Sequence, residues 1–174
     1  MTDTQQRTAA WFLARSGKLT ASNLGAVLGL CNYVSRQQVF DRMRGYEEFR
    51  GNDATQWGND NESNALVEYQ IITGNKVDAT GLWVHPATPW LAGSPDGLVG
   101  EAGMVEIKCP YYFKKGGTRI HTKIPPHYWC QINACLECTG RKWCDYVSWA
   151  PEGLVIFRIY RDASAFDYFL SYYG

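Results

Sequence analysis

Two carboxylates and an ammonium group stand close together in one stretch, Gly93-Ser-Pro-Asp-Gly-Leu-Val99 followed by Val105-Glu-Ile-Lys-Cys-Pro110. Asp96 falls in a turn between Pro95 and Gly97. Glu106 follows ten residues later, and Lys108 two positions further on. If 104–109 is a strand, its period of 2 puts Glu106 and Lys108 on one face and Ile107 in the opposite layer. An aspartate at the end of the previous strand can converge on them. Two carboxylates and the Ile107 backbone carbonyl make a hard oxygen site suited to Mg²⁺ or Mn²⁺. A lysine beside that site can position or deprotonate a water. Phosphodiester hydrolysis needs these parts: a metal-activated nucleophile and neutralised charge around the phosphorus.

A plainer reading is a surface Glu–Lys pair on an exposed strand. It explains Glu106 and Lys108 but not the apolar neighbours Val105, Ile107 and Cys109. In a buried strand such charges are costly unless paired or metal-bound. Ser-Pro-Asp-Gly ahead of the strand favours the site.

The surrounding pattern predicts the elements that must hold these residues. Helices are expected over 5–15, from a cap at Thr20 or Ser22 through Leu28, around Val39–Met43, and over 55–73 with Gly74 as the stop. Leu82–His85, Leu91–Val99 and Met104–Cys109 read as strands punctuated by Gly and Pro. The tract 110–124 is a basic, Gly-containing loop. Pro125-Pro126 opens a helix over 127–139. Strands at Trp143–Trp149 and Leu154–Tyr160 and a helix after Asp162 complete the chain. The expectation is one α/β domain spanning 1–174, with a central mixed β-sheet flanked by helices.

Composition bounds the rest. The 174 residues carry 17 basic and 17 acidic side chains, a net charge of zero, which at first weighs against a nucleic-acid partner. The charge is unevenly spread. Residues 1–50 carry seven basic and four acidic groups (+3), 51–106 one and eight (−7), and 107–174 nine and five (+4). An acidic centre between basic flanks fits either a solvated surface or a cation site framed by surfaces for an anionic polymer. No apolar run approaches a membrane span, and the polar start is no signal peptide, so an intracellular protein is expected. Of six cysteines, Cys130, Cys135, Cys138 and Cys144 are clustered. They fit a thiolate site for zinc or iron–sulfur, or small apolar fillers of a buried helix and strand.

The pattern resembles the PD-(D/E)xK nuclease superfamily, and within it the lambda exonuclease or YqaJ-like viral recombinase family. The resemblance runs from about Trp11 to Tyr160. It rests on Trp11-Phe-Leu-Ala-Arg15 with Leu19-Thr-Ala-Ser22, on Gly58-Asn-Asp-Asn-Glu62-Ser-Asn-Ala65, on Asp96, Glu106 and Lys108, and on Tyr128-Trp-Cys-Gln131. It implies a restriction-endonuclease-like core and a 5′→3′ exonuclease acting on double-stranded DNA ends. Such an enzyme releases 5′-mononucleotides and leaves a 3′ single strand for recombination with an annealing protein. Asp96, Glu106, the Ile107 carbonyl and Glu62 would hold one or two Mg²⁺ (or Mn²⁺) ions. Lys108 would orient or activate the water, Gln131 would help place it, and Tyr128 would support Gln131. Arg15 and Ser22 would grip the 5′-phosphate. Lys114, Lys115, Arg119 and Lys123 would contact backbone phosphates without reading bases. The family also offers a ring-shaped homotrimer as the assembly.

Three other functions remain open on the sequence. They are a structure-selective or restriction-type endonuclease on the same fold, a DNA-end-binding module without catalysis, and a thiolate metal module.

Overall fold

The computed structural model describes residues 5–48, 50–113 and 117–173. Eight strands and six helices follow in the order α1 (Ala9–Arg15), β1 (Leu19–Thr20), α2 (Ala21–Val27), α3 (Arg36–Met43), α4 (Asp53–Thr73), β2 (Val77–Asp78), β3 (Trp83–Val84), β4 (Leu91–Gly93), β5 (Gly97–Val99), β6 (Gly103–Lys108), α5 (Pro126–Thr139), β7 (Trp143–Ala150), β8 (Gly153–Tyr160) and α6 (Ala163–Tyr173).

Local chemistry sets the helix ends. Thr8 caps α1 through the Trp11 amide, and Ser35 with Gln38 closes a capping box on α3. Asn52 caps α4, which ends where Gly74 turns left-handed at φ 71°. The α5 helix begins at Pro126, where a missing N–H costs nothing.

The strands form two sheets. The larger has the order β2-β5-β6-β7-β8 and is mixed, because β6 and β7 run parallel while the other pairs are antiparallel. A smaller sheet, β1-β4-β3, lies at the α1 and α2 end. This is the expected α/β architecture, with revisions: the strands divide between two sheets, β1 and β2 are additional to the expected strands, and the first helix begins at Ala9 rather than at residue 5. The apolar run Leu91–Val99 is two strands in different sheets, broken at Ser94-Pro95-Asp96. Pro95 has no N–H to donate to a ladder, and Asp96 instead gives its amide to the Val105 carbonyl at 3.1 Å.

β6 divides the core. Met104 faces a cluster with Leu24, Ile132, Cys135, Leu136 and Tyr146, built from α2, α5 and β7. Val105 and Ile107 face the other cluster, with Ala65 and Tyr69 of α4 and Val147 and Trp149 of β7. Strand alternation therefore sends Glu106 and Lys108 toward the α5 side, as their spacing predicts. The four clustered cysteines are all buried, and burial pushes the thiols of Cys135 and Cys144 up. They fill the core as small apolar groups. Among the described residues no helix is long and apolar enough to cross a membrane.

Candidate active site

Asp96 is fixed against β6 from two sides. Besides its own amide bond, its Oδ2 accepts the Ile107 N–H at 2.7 Å. Glu106 is 2% exposed. Its Oε1 accepts a hydrogen bond from Gln131 Nε2 at 2.8 Å and lies 3.2 Å from Lys108 Nζ. Lys108 Nζ in turn donates to Gln131 Oε1 at 3.1 Å. The Gln131 amide thus joins the carboxylate and the ammonium through both of its ends. Lys108 Nζ also sits 4.4 Å from the centre of the Tyr128 ring, a cation–π contact. Tyr128 thus touches Lys108, which in turn is bonded to Gln131.

These groups alter one another's proton affinity. Burial raises the Asp96 carboxyl well above the ordinary range, and the charges of Glu106 and Glu62 raise it further. Burial raises Glu106 too, opposed by Lys108. Burial pulls Lys108 down, but Glu106, Tyr128 and Asp96 outweigh that and hold it charged. Cys109, next in line, is pushed up to about 12 by burial and by Glu62 and Asp96.

The donor set suits a hard cation. Glu106 Oε2 is buried with no hydrogen-bond partner, an arrangement that costs free energy unless a cation meets it. Among the described residues no three His, Cys, Asp or Glu side chains form a group that could hold an ion by themselves. Mg²⁺ fits such a sparse set, since it commonly takes one or two carboxylates and completes its shell with water and substrate phosphate oxygens. Glu62 bears electrostatically on Asp96 and Glu106 but is paired with Arg7, on the segment preceding α1. Gln6 donates to the Pro95 carbonyl at 2.7 Å, so that segment lies across the Asp96 turn.

A second cluster adjoins the first. The Arg15 guanidinium stacks 4.0 Å from the Trp11 ring centre and points Nη2 at the hydroxyls of Thr20 (3.3 Å) and Ser22 (3.4 Å). Those hydroxyls are 3.1 Å apart. Trp11 Nε1 donates to Ser94 Oγ at 2.9 Å, which ties this pocket to the turn carrying Asp96.

The basic loop is only partly placed. Lys114 and Lys115 lie outside the described residues, and Lys123 is exposed. Arg119 pairs bidentately with Glu152 (3.2 and 2.7 Å), and its guanidinium lies 4.8 Å from the ring centres of both Trp57 and Phe113. A phosphate at Arg119 would have to displace that carboxylate.

The spacing of motifs missed Gln6, Arg7, Tyr33 and His127. Their contacts join residues tens of positions apart, and no short pattern marks them.

The fold is that of solved α/β exonucleases. LHK-Exo, solved in complex with dAMP, superposes with a TM-score of 0.78 at 34% identity, over 95% of this chain and 88% of that one. The same alkaline exonuclease from Laribacter hongkongensis, in a second structure, gives 0.76 at 34% identity with the same coverage. A phage-related exonuclease from Haemophilus somnus 129PT shares the fold, with a TM-score of 0.66, 16% identity and 89% of each chain covered. The model of the YqaJ-like viral recombinase domain matches residues 10–142, and the chain belongs to that family. No curated protein matches the sequence.

Proposed function

We propose that this protein is a Mg²⁺-dependent 5′→3′ exonuclease that acts on double-stranded DNA ends as one domain. It releases 5′-mononucleotides and leaves a 3′ single strand for an annealing protein. The observation that carries the reading is the coupling of two sites through Trp11 and Ser94. A carboxylate–lysine centre stands beside an arginine–hydroxyl pocket of the right chemistry for a terminal phosphate. Membership of the YqaJ-like family and likeness to solved exonucleases support it.

Asp96, Glu106 through Oε2, and the Ile107 carbonyl would hold the ion, which when bound activates a water and neutralises charge on the phosphate. Glu62 would join for a second ion once Arg7 lets go. Lys108 would orient or activate the attacking water and stabilise negative charge on the phosphate. Gln131 fixes Lys108 and Glu106 in one geometry. Arg15 and Ser22 grip the new 5′-phosphate after each cut, which directs attack to ends. Lys114, Lys115, Arg119 and Lys123 would serve the DNA backbone, Arg119 by exchanging Glu152 for phosphate. A homotrimer ring would keep the duplex at the site.

The test is digestion of linear against covalently closed circular duplex with Mg²⁺. The reading requires conversion of the linear duplex to 5′-mononucleotides and residual single strands, and an untouched circle. Cutting of the circle would assign the fold to an endonuclease instead.

A further inference from the structure

Tyr33 lies in the loop between α2 and α3 and is 67% exposed. Its hydroxyl is nonetheless held, 3.1 Å from His127 Nε2 and 3.5 Å from the Tyr128 hydroxyl. Among the ring contacts of the described residues it meets only His127, edge-on, with centroids 5.6 Å apart and planes at 85°. One end of the ring is anchored while most of the side chain stays exposed.

The anchor belongs to the catalytic wall. His127 and Tyr128 pack with ring centres 4.1 Å apart, and Tyr128 carries the Lys108 ammonium on its face. On the other side α2 rests directly on His127. A Cβ added at Gly25 would come 2.5 Å from His127 Cβ, so only glycine lets the two backbones approach. Ser22 of the phosphate pocket lies one helical turn before Gly25. Phosphate pocket, Gly25, His127 and Tyr33 therefore form one edge that passes the Lys108 side of the centre.

We propose that Tyr33 is a stacking surface for the nucleobase of the 5′-terminal nucleotide. This rests on the end-directed reading above and adds a base subsite to it. On that reading a terminal nucleotide with one phosphate at Arg15 and the next at Asp96 and Glu106 would leave the duplex stack. Unstacking costs free energy. An aromatic face offsets that cost without reading sequence, since every base has a π-face. Holding the ring by its hydroxyl removes the entropy loss of ordering it on binding.

The test uses a 5′-phosphorylated duplex with 2-aminopurine as its 5′-terminal base, bound by the full chain with Ca²⁺ in place of Mg²⁺. Stacking quenches this base. The complexes of wild type and Tyr33→Phe are expected to be dim. That of Tyr33→Leu is expected to be bright, with end affinity about tenfold weaker. Tyr33 is exposed, so these variants fold. Equal fluorescence in all three complexes overturns the proposal. So does a Tyr33→Phe complex as bright as Tyr33→Leu, because the hydroxyl rather than the ring would then be what matters. If wild type and variants all fail to bind the duplex end, the end-directed reading falls and takes this subsite with it.

Discussion

The Trp11 indole N–H and the Ser94 hydroxyl meet at 2.9 Å across 83 residues of chain. Trp11 also carries the Arg15 guanidinium on its ring, and Ser94 stands two residues before Asp96. One side chain thus links the Arg15 guanidinium to the turn that carries Asp96. Trp11→Phe keeps an aromatic face for Arg15 but loses the bond. It is expected to shrink the rate preference for 5′-phosphorylated over 5′-hydroxyl ends by roughly tenfold, about 1.4 kcal/mol. Single-turnover rates on the two substrates measure this. An unchanged preference removes Trp11 from the coupling.

Gln131 holds Glu106 with one end of its amide and Lys108 with the other. Gln131→Leu should lower kcat by roughly 10- to 100-fold, the usual cost of losing a group that orients a metal ligand. Lys108→Ala should cost more, because it removes the charge itself. Steady-state kinetics with saturating Mg²⁺ rank the two, and a Gln131→Leu enzyme at wild-type rate contradicts the bridge.

Arg7 occupies Glu62 in the free protein. Arg7→Ala frees that carboxylate and should lower the Mg²⁺ concentration giving half-maximal rate. The factor is at most about fivefold, since a partly exposed pair contributes roughly 0.2–1 kcal/mol. A metal titration of the rate checks it, and a higher Mg²⁺ requirement would show that Arg7 helps rather than competes.

The centre is also expected to set the pH dependence of stability. Without metal, Asp96 and Glu106 bind protons more tightly in the folded state than in the unfolded chain. Their contribution is present below the unfolded carboxylate pKa of roughly 4 and is lost as pH rises through the folded values. The metal-free protein should therefore lose melting temperature as pH climbs from about 4, and saturating Mg²⁺ should restore it most above neutrality. Asp96→Asn should raise the melting temperature of metal-free protein at alkaline pH and abolish most of the gain from Mg²⁺. A fall in the metal-free Asp96→Asn variant would contradict the sign.

What the sequence made legible was local. Asp96, Glu106 and Lys108 lie within thirteen residues, and strand period decides which face each takes. Arg15 and Ser22 are seven apart, and the structure brings them together across residues 16–18 and β1. Pairings such as Arg7 with Glu62, Trp11 with Ser94 and Tyr33 with His127 span 55, 83 and 94 residues. No periodicity announces them. Two-residue strands such as β1 and β2 are too short to show a period at all. Counting charge along the chain placed the acidic centre but could not see that Glu152 engages Arg119.

The most direct measurement compares 5′-phosphorylated with 5′-hydroxyl linear duplex, each with Mg²⁺ and with chelator. Fast release of 5′-mononucleotides is expected from the phosphorylated duplex with Mg²⁺, slow release from the hydroxyl duplex, and none with chelator. Digestion that ignores the terminal phosphate, or that continues without a divalent ion, would contradict the proposed function.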